Sequence, residues 1–213
     1  VHGTTITMLN ASRKIDSSAI DMRGKIFVTS GLGGMSGAQA KAGVIAKGVC
    51  IVAEINPEAT YKRHKQGWID EVYKNLDNLI NRAIQAKNNK EAVSIAYDGN
   101  IVDLLEKLVE RNINIELGSD QTSLHNPWAG GYYPVEMSLE QANEMMDNNH
   151  NQFKKEVQKT LIRHTNAINT LTERGMYFFD YGNAFLLEAS RASADILNKQ
   201  GDFKYPSYVQ DII

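Results

Sequence analysis

The chain alternates short apolar runs with longer stretches in which apolar residues recur every three or four positions. Residues 25–30 (KIFVTS) and 49–55 (VCIVAEI) are β-branched and nearly uncharged, the composition of strands buried on both faces. Between them lie a glycine-rich turn, 31–37, and a small-residue stretch, 38–47, that predicts a helix able to approach a sheet closely. Pro57 suits the first turn of the next helix, where its fixed φ fits and its missing N–H is not needed. Over 71–87, Val72, Leu76, Leu79, Ile80, Ala83 and Ile84 share one helical face, predicting a single helix. A third strand follows at 92–97, and a helix at 101–111 carrying Ile101, Leu104, Leu105, Leu108 and Val109. A fourth strand at 113–117 leads to Asp120.

Beyond Asp120, residues 121–137 form a long turn-rich loop, a kind that is usually functional in a compact domain. Ser138 and Gln141 have capping-box spacing for a helix through Met146. A long amphipathic helix at 152–174, a short strand and loop in "MYFFDYGNAF", and a last helix at 186–199 complete the pattern. The first twenty residues read as polar and aperiodic.

Strands alternating with helices imply βαβ units and a parallel sheet. A switch between the first and fourth strands gives an α/β, Rossmann-like doubly wound sheet with flanking helices and a long C-terminal helical segment. Residues 1–24 read as a lead-in and 25–213 as one domain. The net charge of −2 carries no basic footprint, which argues against nucleic acid as a partner. No apolar run approaches the roughly 18–20 residues of a membrane span, and the N-terminus lacks a signal-peptide layout. A single cysteine, Cys50, excludes an internal disulfide and fits a reducing, cytoplasmic setting. The chain starts at Val1 rather than Met, which suggests an excised part of a longer protein.

The candidate chemistry centres on the glycine turn. A tight loop between strand and helix turns backbone N–H groups toward a pyrophosphate at the positive helix end. Gly31, Gly33 and Gly37 give G-x-G-x-x-x-G, with Gly34 adding slack and Ser36 in place of the usual third glycine. Glu54, near the end of the second strand and 20 positions past Gly34, is placed to accept both ribose hydroxyls of an adenosine and to repel a 2′-phosphate. NAD is therefore expected over NADP.

Three words, "GLGGMSGAQ", "DQTSLHNPWAGGYYP" and "FFDYGN", resemble segments of urocanase (urocanate hydratase) in order and approximate spacing. They span Gly31 to Asn183. The resemblance implies a Rossmann-like insert within a core domain of a homodimeric hydro-lyase of histidine degradation. Its NAD+ serves as an electrophile toward the urocanate imidazole while water is added to give imidazolonepropionate. It further implies that this chain is the insert alone, inactive by itself because the essential cysteine and the urocanate-binding core lie elsewhere. No catalytic residue is expected in the chain.

The implied cofactor contacts are Gly33, Gly34, Met35 and Ser36 in the phosphate loop, Glu54 at the ribose, and Asn100 with Ile101 past the third strand. Gln121, Thr122, Ser123, Leu124 and His125 match the cofactor loop. Tyr132 and Tyr133 match the turn after it, which carries one extra residue here, and Tyr181 matches a late tyrosine. Where many members place an arginine, this chain has Ala59, for which Lys62 or Arg63 is the candidate replacement.

Other residues read more plainly. His64, His150 and His164 show no metal-ligand spacing, Cys50 reads as a buried inert thiol, Trp128 as packing, and Lys154, Lys155 and Lys159 as a solvated face. The residues also admit a hydride-transferring NAD-dependent oxidoreductase domain, a non-enzymatic nucleotide sensor, or another Rossmann-like module such as a methyltransferase.

Overall fold

The computed structural model describes residues 1–182 and 184–213. Its centre is a six-stranded, all-parallel sheet in the order β3-β4-β2-β1-β5-β6. The strands are β1 (Ile26–Ser30), β2 (Val49–Glu54), β3 (Glu71–Tyr73), β4 (Val93–Asp98), β5 (Leu117–Asp120) and β6 (Tyr177–Asp180). Because side chains alternate across a strand, the apolar runs feed two cores. Ile26, Val28, Val49, Ile51, Val93, Ile95 and Phe178 face one, while Phe27, Cys50, Val52, Ala96 and Phe179 face the other. This is why the central strands read as uninterrupted apolar runs rather than as alternating ones.

The first core is covered by α4 (Leu76–Asn88), α5 (Ile101–Glu110), α6 (Leu139–Asn148), α7 (His150–Glu173) and α8 (Ala184–Arg191). The second is covered by α1 (His2–Ile15), α2 (Ala38–Ile45) and the C-terminal α9 (Tyr208–Asp211). The small-residue helix α2 lies close against β2, and a Cβ on its Gly43 would meet the Cys50 side chain at 2.6 Å. Helix starts follow their caps. Asn56, with Pro57 behind it, caps α3 (Pro57–Lys65); Asn75 caps α4, Asn100 caps α5, and Ser138 with Gln141 forms a capping box on α6.

Four elements depart from the sequence pattern. The polar first segment contains α1, whose buried face is Thr7, Met8, Ala11 and Ser12; two of those four are hydroxyl residues, so the helical period is invisible to hydrophobicity. Residues 71–87 are not one helix. Glu71–Tyr73 pair with β4 as an edge strand, and α4 begins only after the Asn75 cap. The strand expected at 113–117 runs instead over Leu117–Asp120, with Ile113 still bonded to Leu108 in the turn after α5. The last long helix stops at Arg191 and is followed by Ser193 at φ 61°, a conformation that ends a helix.

Candidate functional site

The sheet order reverses at β1, which is flanked by β2 and β5, so ligands are expected beyond the carboxyl ends of these strands. The β1–β2 ladder continues to Ser30↔Ala53, whereas the β1–β5 ladder ends at Val28↔Gly118. Past that point side chains tie the two strands together. Thr29 bonds Ser119 (2.8 Å) and Gln39 (2.8 Å), and Ser30 donates to Asp120 (2.7 Å). Beyond the strand ends a crevice opens, bordered on one side by the glycine loop and on the other by residues 121–133. Ile55, Gly99 and Asn100 also border a second depression beside it.

One wall is the glycine loop. Gly31 leaves β1 at φ 92°, and a Cβ there would meet Ser36 Oγ at 2.9 Å. Glu54 braces the loop, accepting the Leu32 N–H at 2.7 Å on one oxygen and the Asn56 N–H at 2.9 Å on the other. Burial pushes the Glu54 pKa up, with those backbone N–H groups opposing the shift. Among the described residues, no protein acceptor meets the N–H groups of Gly33, Gly34, Met35 and Ser36. Four successive N–H groups before a helix form a site suited to an anion.

The other wall is residues 121–133, including an irregular turn at Pro127–Gly131. It is held by side chains. Asp120 accepts from the Thr122 N–H and hydroxyl (3.0 and 2.6 Å), Asn100 donates to the Tyr133 carbonyl (3.0 Å), and the Tyr133 hydroxyl donates to Asn143 on α6 (3.0 Å). The Tyr132 hydroxyl lies 2.8 Å from Nδ1 of His164 on α7. Both side chains are buried, and burial lowers the His164 pKa to about 4, leaving a neutral imidazole. The Gln121 Oε1 is buried without a partner in this wall. Below it, Asp120 and Asp180 are register partners on β5 and β6. Burial, with the charge of Asp120, raises the Asp180 pKa to about 6.

The sequence profile of the urocanase Rossmann-like domain matches residues 1–212. The chain belongs to the urocanase Rossmann-like domain family. It is 58% identical over 217 residues to a probable urocanate hydratase of Dictyostelium discoideum, covering 100% of this chain and 32% of that protein. It is 51% identical over 221 residues to the urocanate hydratase of Homo sapiens, again covering 100% and 32%. A probable urocanate hydratase of Halobacterium salinarum is 31% identical over 98% of the chain and 36% of that protein. The chain thus spans about a third of the length of the curated relatives it matches.

Within this urocanase domain, the residues expected at the cofactor do not all gather at the crevice. Gly33, Ser36, Glu54, Asn100, Ile101, Gln121, Thr122, Ser123, Tyr132 and Tyr133 line it. Gly34 and Met35 lie on the exposed outer turn of the loop, Met35 being 82% accessible. Leu124 is wholly buried in the first core, and His125 is exposed on the loop. Tyr181 packs against Phe179 and Tyr208 at the second core, its hydroxyl buried without a partner. Asn183, the last residue of the third word, falls outside the described residues. Cys50 is buried, as expected, and burial pushes its thiol pKa up.

Sequence reasoning missed Ser30, Asp120, His164 and the part played by Arg63. Arg63 does not reach the crevice lining; it bonds the glycine loop from outside. Its spacing from Ala59, four positions on one helix, is the signal that places it on the face Ala59 occupies.

Proposed function

We propose that the chain binds NAD+ as the cofactor part of a urocanate hydratase, a hydro-lyase that adds water to urocanate. The observation that carries this reading is the run of four N–H groups, Gly33 to Ser36, without protein acceptors, in a loop braced by Glu54 at the end of β2. The N–H run fits a pyrophosphate and Glu54 fits a ribose diol, while the unpartnered Gln121 Oε1 offers an acceptor to a carboxamide. When bound, NAD+ supplies an electrophilic nicotinamide ring. The chain's own residues bind and orient it: the loop N–H groups hold the anion, Glu54 accepts from the ribose, and Tyr132 and Tyr133 form part of the crevice lining.

The same reading assigns urocanate binding and the essential cysteine to sequence beyond this chain. Its supports are the third of the relatives' length that the chain spans and the burial of Cys50 away from the crevice lining. The chain alone then does not turn urocanate over, and the homodimer and cytoplasmic setting implied by the resemblance belong to the complete enzyme. Isothermal titration with NAD+, NADP+ and S-adenosylmethionine tests the assignment. Binding of NAD+ with NADP+ much weaker supports it. Preference for S-adenosylmethionine, or equal binding of the two dinucleotides, overturns it.

A further inference from the structure

The glycine loop is gripped from outside the crevice by one side chain. Arg63 on α3 donates from Nε to the Leu32 carbonyl (3.1 Å) and from Nη2 to the Gly33 carbonyl (2.6 Å), with a longer bond to that of Gly34 (3.4 Å). Its Nη1 donates to Gln66 (3.0 Å). The guanidinium stacks on Trp68 at 4.7 Å from the ring centre, and Lys41 of α2 approaches the same ring at 5.8 Å. Its described hydrogen-bond partners are three carbonyls and an amide, so its charge is directed at backbone oxygens. Gly37 leaves room for this grip, since a Cβ there would meet Arg63 Nε at 2.5 Å.

In a trans peptide the carbonyl and the following N–H point in opposite directions. Holding the carbonyls of Leu32, Gly33 and Gly34 on the guanidinium therefore turns the N–H groups of Gly33, Gly34 and Met35 away from it. These are three of the four that have no protein acceptor. We propose that Arg63 is a positioning residue for the cofactor's pyrophosphate. It aligns three successive peptide dipoles with their positive ends toward the anion and sets a fixed cation behind them, while Trp68 holds the guanidinium plane. Leu32 is held at both ends, its N–H by Glu54 and its carbonyl by Arg63.

The inference rests on the dinucleotide reading above, and its test separates the two. NAD+ and adenosine are titrated into the chain and into Arg63→Gln, Arg63→Lys and Trp68→Leu. Backbone 15N relaxation of Gly33 and Gly34 is measured without ligand. Arg63→Gln is expected to weaken NAD+ roughly tenfold while adenosine stays within about twofold. Arg63→Lys, which keeps the charge but loses the planar fork, recovers only part of the loss. Trp68→Leu gives a smaller loss in the same direction and serves if Arg63→Gln does not fold. Unchanged NAD+ affinity in a folded variant, or an equal loss for adenosine, overturns the proposal. If the unaltered chain binds neither ligand, the dinucleotide reading fails. Relaxation then decides for Arg63: increased motion of Gly33 and Gly34 in Arg63→Gln upholds the alignment, and unchanged motion overturns it.

Discussion

The two walls of the crevice are built in opposite ways. The glycine wall offers backbone: a short loop, N–H groups without acceptors among the described residues, Glu54 bracing it at the crevice and Arg63 gripping it from outside. The opposite wall offers side chains from residues 121–133, and its two tyrosines are tied to other elements, Tyr132 to His164 on α7 and Tyr133 to Asn143 on α6. A backbone site is written in glycine spacing and a strand-end acid, so it is encoded within about thirty residues. A side-chain wall depends on partners that only the fold brings together. The first wall is therefore expected to fail through ligand binding, and the second through loss of packing and stability.

Glu54→Ala should produce the largest effect. It removes the ribose acceptor and the anchor of the Leu32 N–H together, and NAD+ affinity by calorimetry should fall on the order of a hundredfold. Glu54→Gln, which keeps the volume, should fall less. An unchanged affinity would break the contrast by showing that the backbone wall is not the binding wall.

His164→Phe should act mainly on stability. It leaves the Tyr132 hydroxyl buried without a partner, at a cost of roughly 1–3 kcal/mol in urea unfolding. Adding Tyr132→Phe should return part of that cost, because both members of the pair are then apolar. A strictly additive double variant would mean that the 2.8 Å contact does not hold the wall in place.

A smaller, pH-dependent signature belongs beneath the side-chain wall. Asp180 has a raised pKa, so its protonated form is the one favoured in the fold. Its stabilising contribution is present below the ordinary aspartate range and is lost as pH rises through about 6. Carboxyl NMR titration should place its midpoint near 6, and Asp120→Asn should lower it without restoring the ordinary value, because burial is the larger cause. An ordinary midpoint in the unaltered chain would remove the buried pair from the account.

The smallest effect concerns a helix that supports the second wall. Ser138→Ala breaks the α6 capping box and should cost about 1 kcal/mol of stability, leaving NAD+ binding unchanged. A change in affinity would show that α6 tunes the crevice through Asn143.

What was legible in the sequence follows the same division. The unit β1, glycine loop, α2 and β2 could be read directly, because strands buried on both faces leave continuous apolar runs and Glu54 closes the second. The edge strand β3 could not, because three half-exposed residues leave no run of their own and Val72 extends the α4 periodicity backward. Helix α1 hides its buried face behind Thr7 and Ser12, whose hydroxyls are satisfied by nearby carbonyls. Within the site, Glu54 and the glycines announced themselves. Arg63 could be named, with Lys62, as a replacement for the arginine missing at Ala59, but not its grip on the loop carbonyls from outside, and His164 read as scattered because its partner lies 32 positions away. Ser30 read as an ordinary strand end and Asp120 as lying past one; only the fold, with its shorter β1–β5 ladder, shows that their side chains tie the two strands together.

The most direct test of the central claim is an amide NMR titration of the chain with NAD+. The account predicts that Gly33, Gly34, Met35 and Ser36 shift together with residues around Glu54, saturating at one affinity. A folded chain in which NAD+ leaves those four amides unmoved would contradict it.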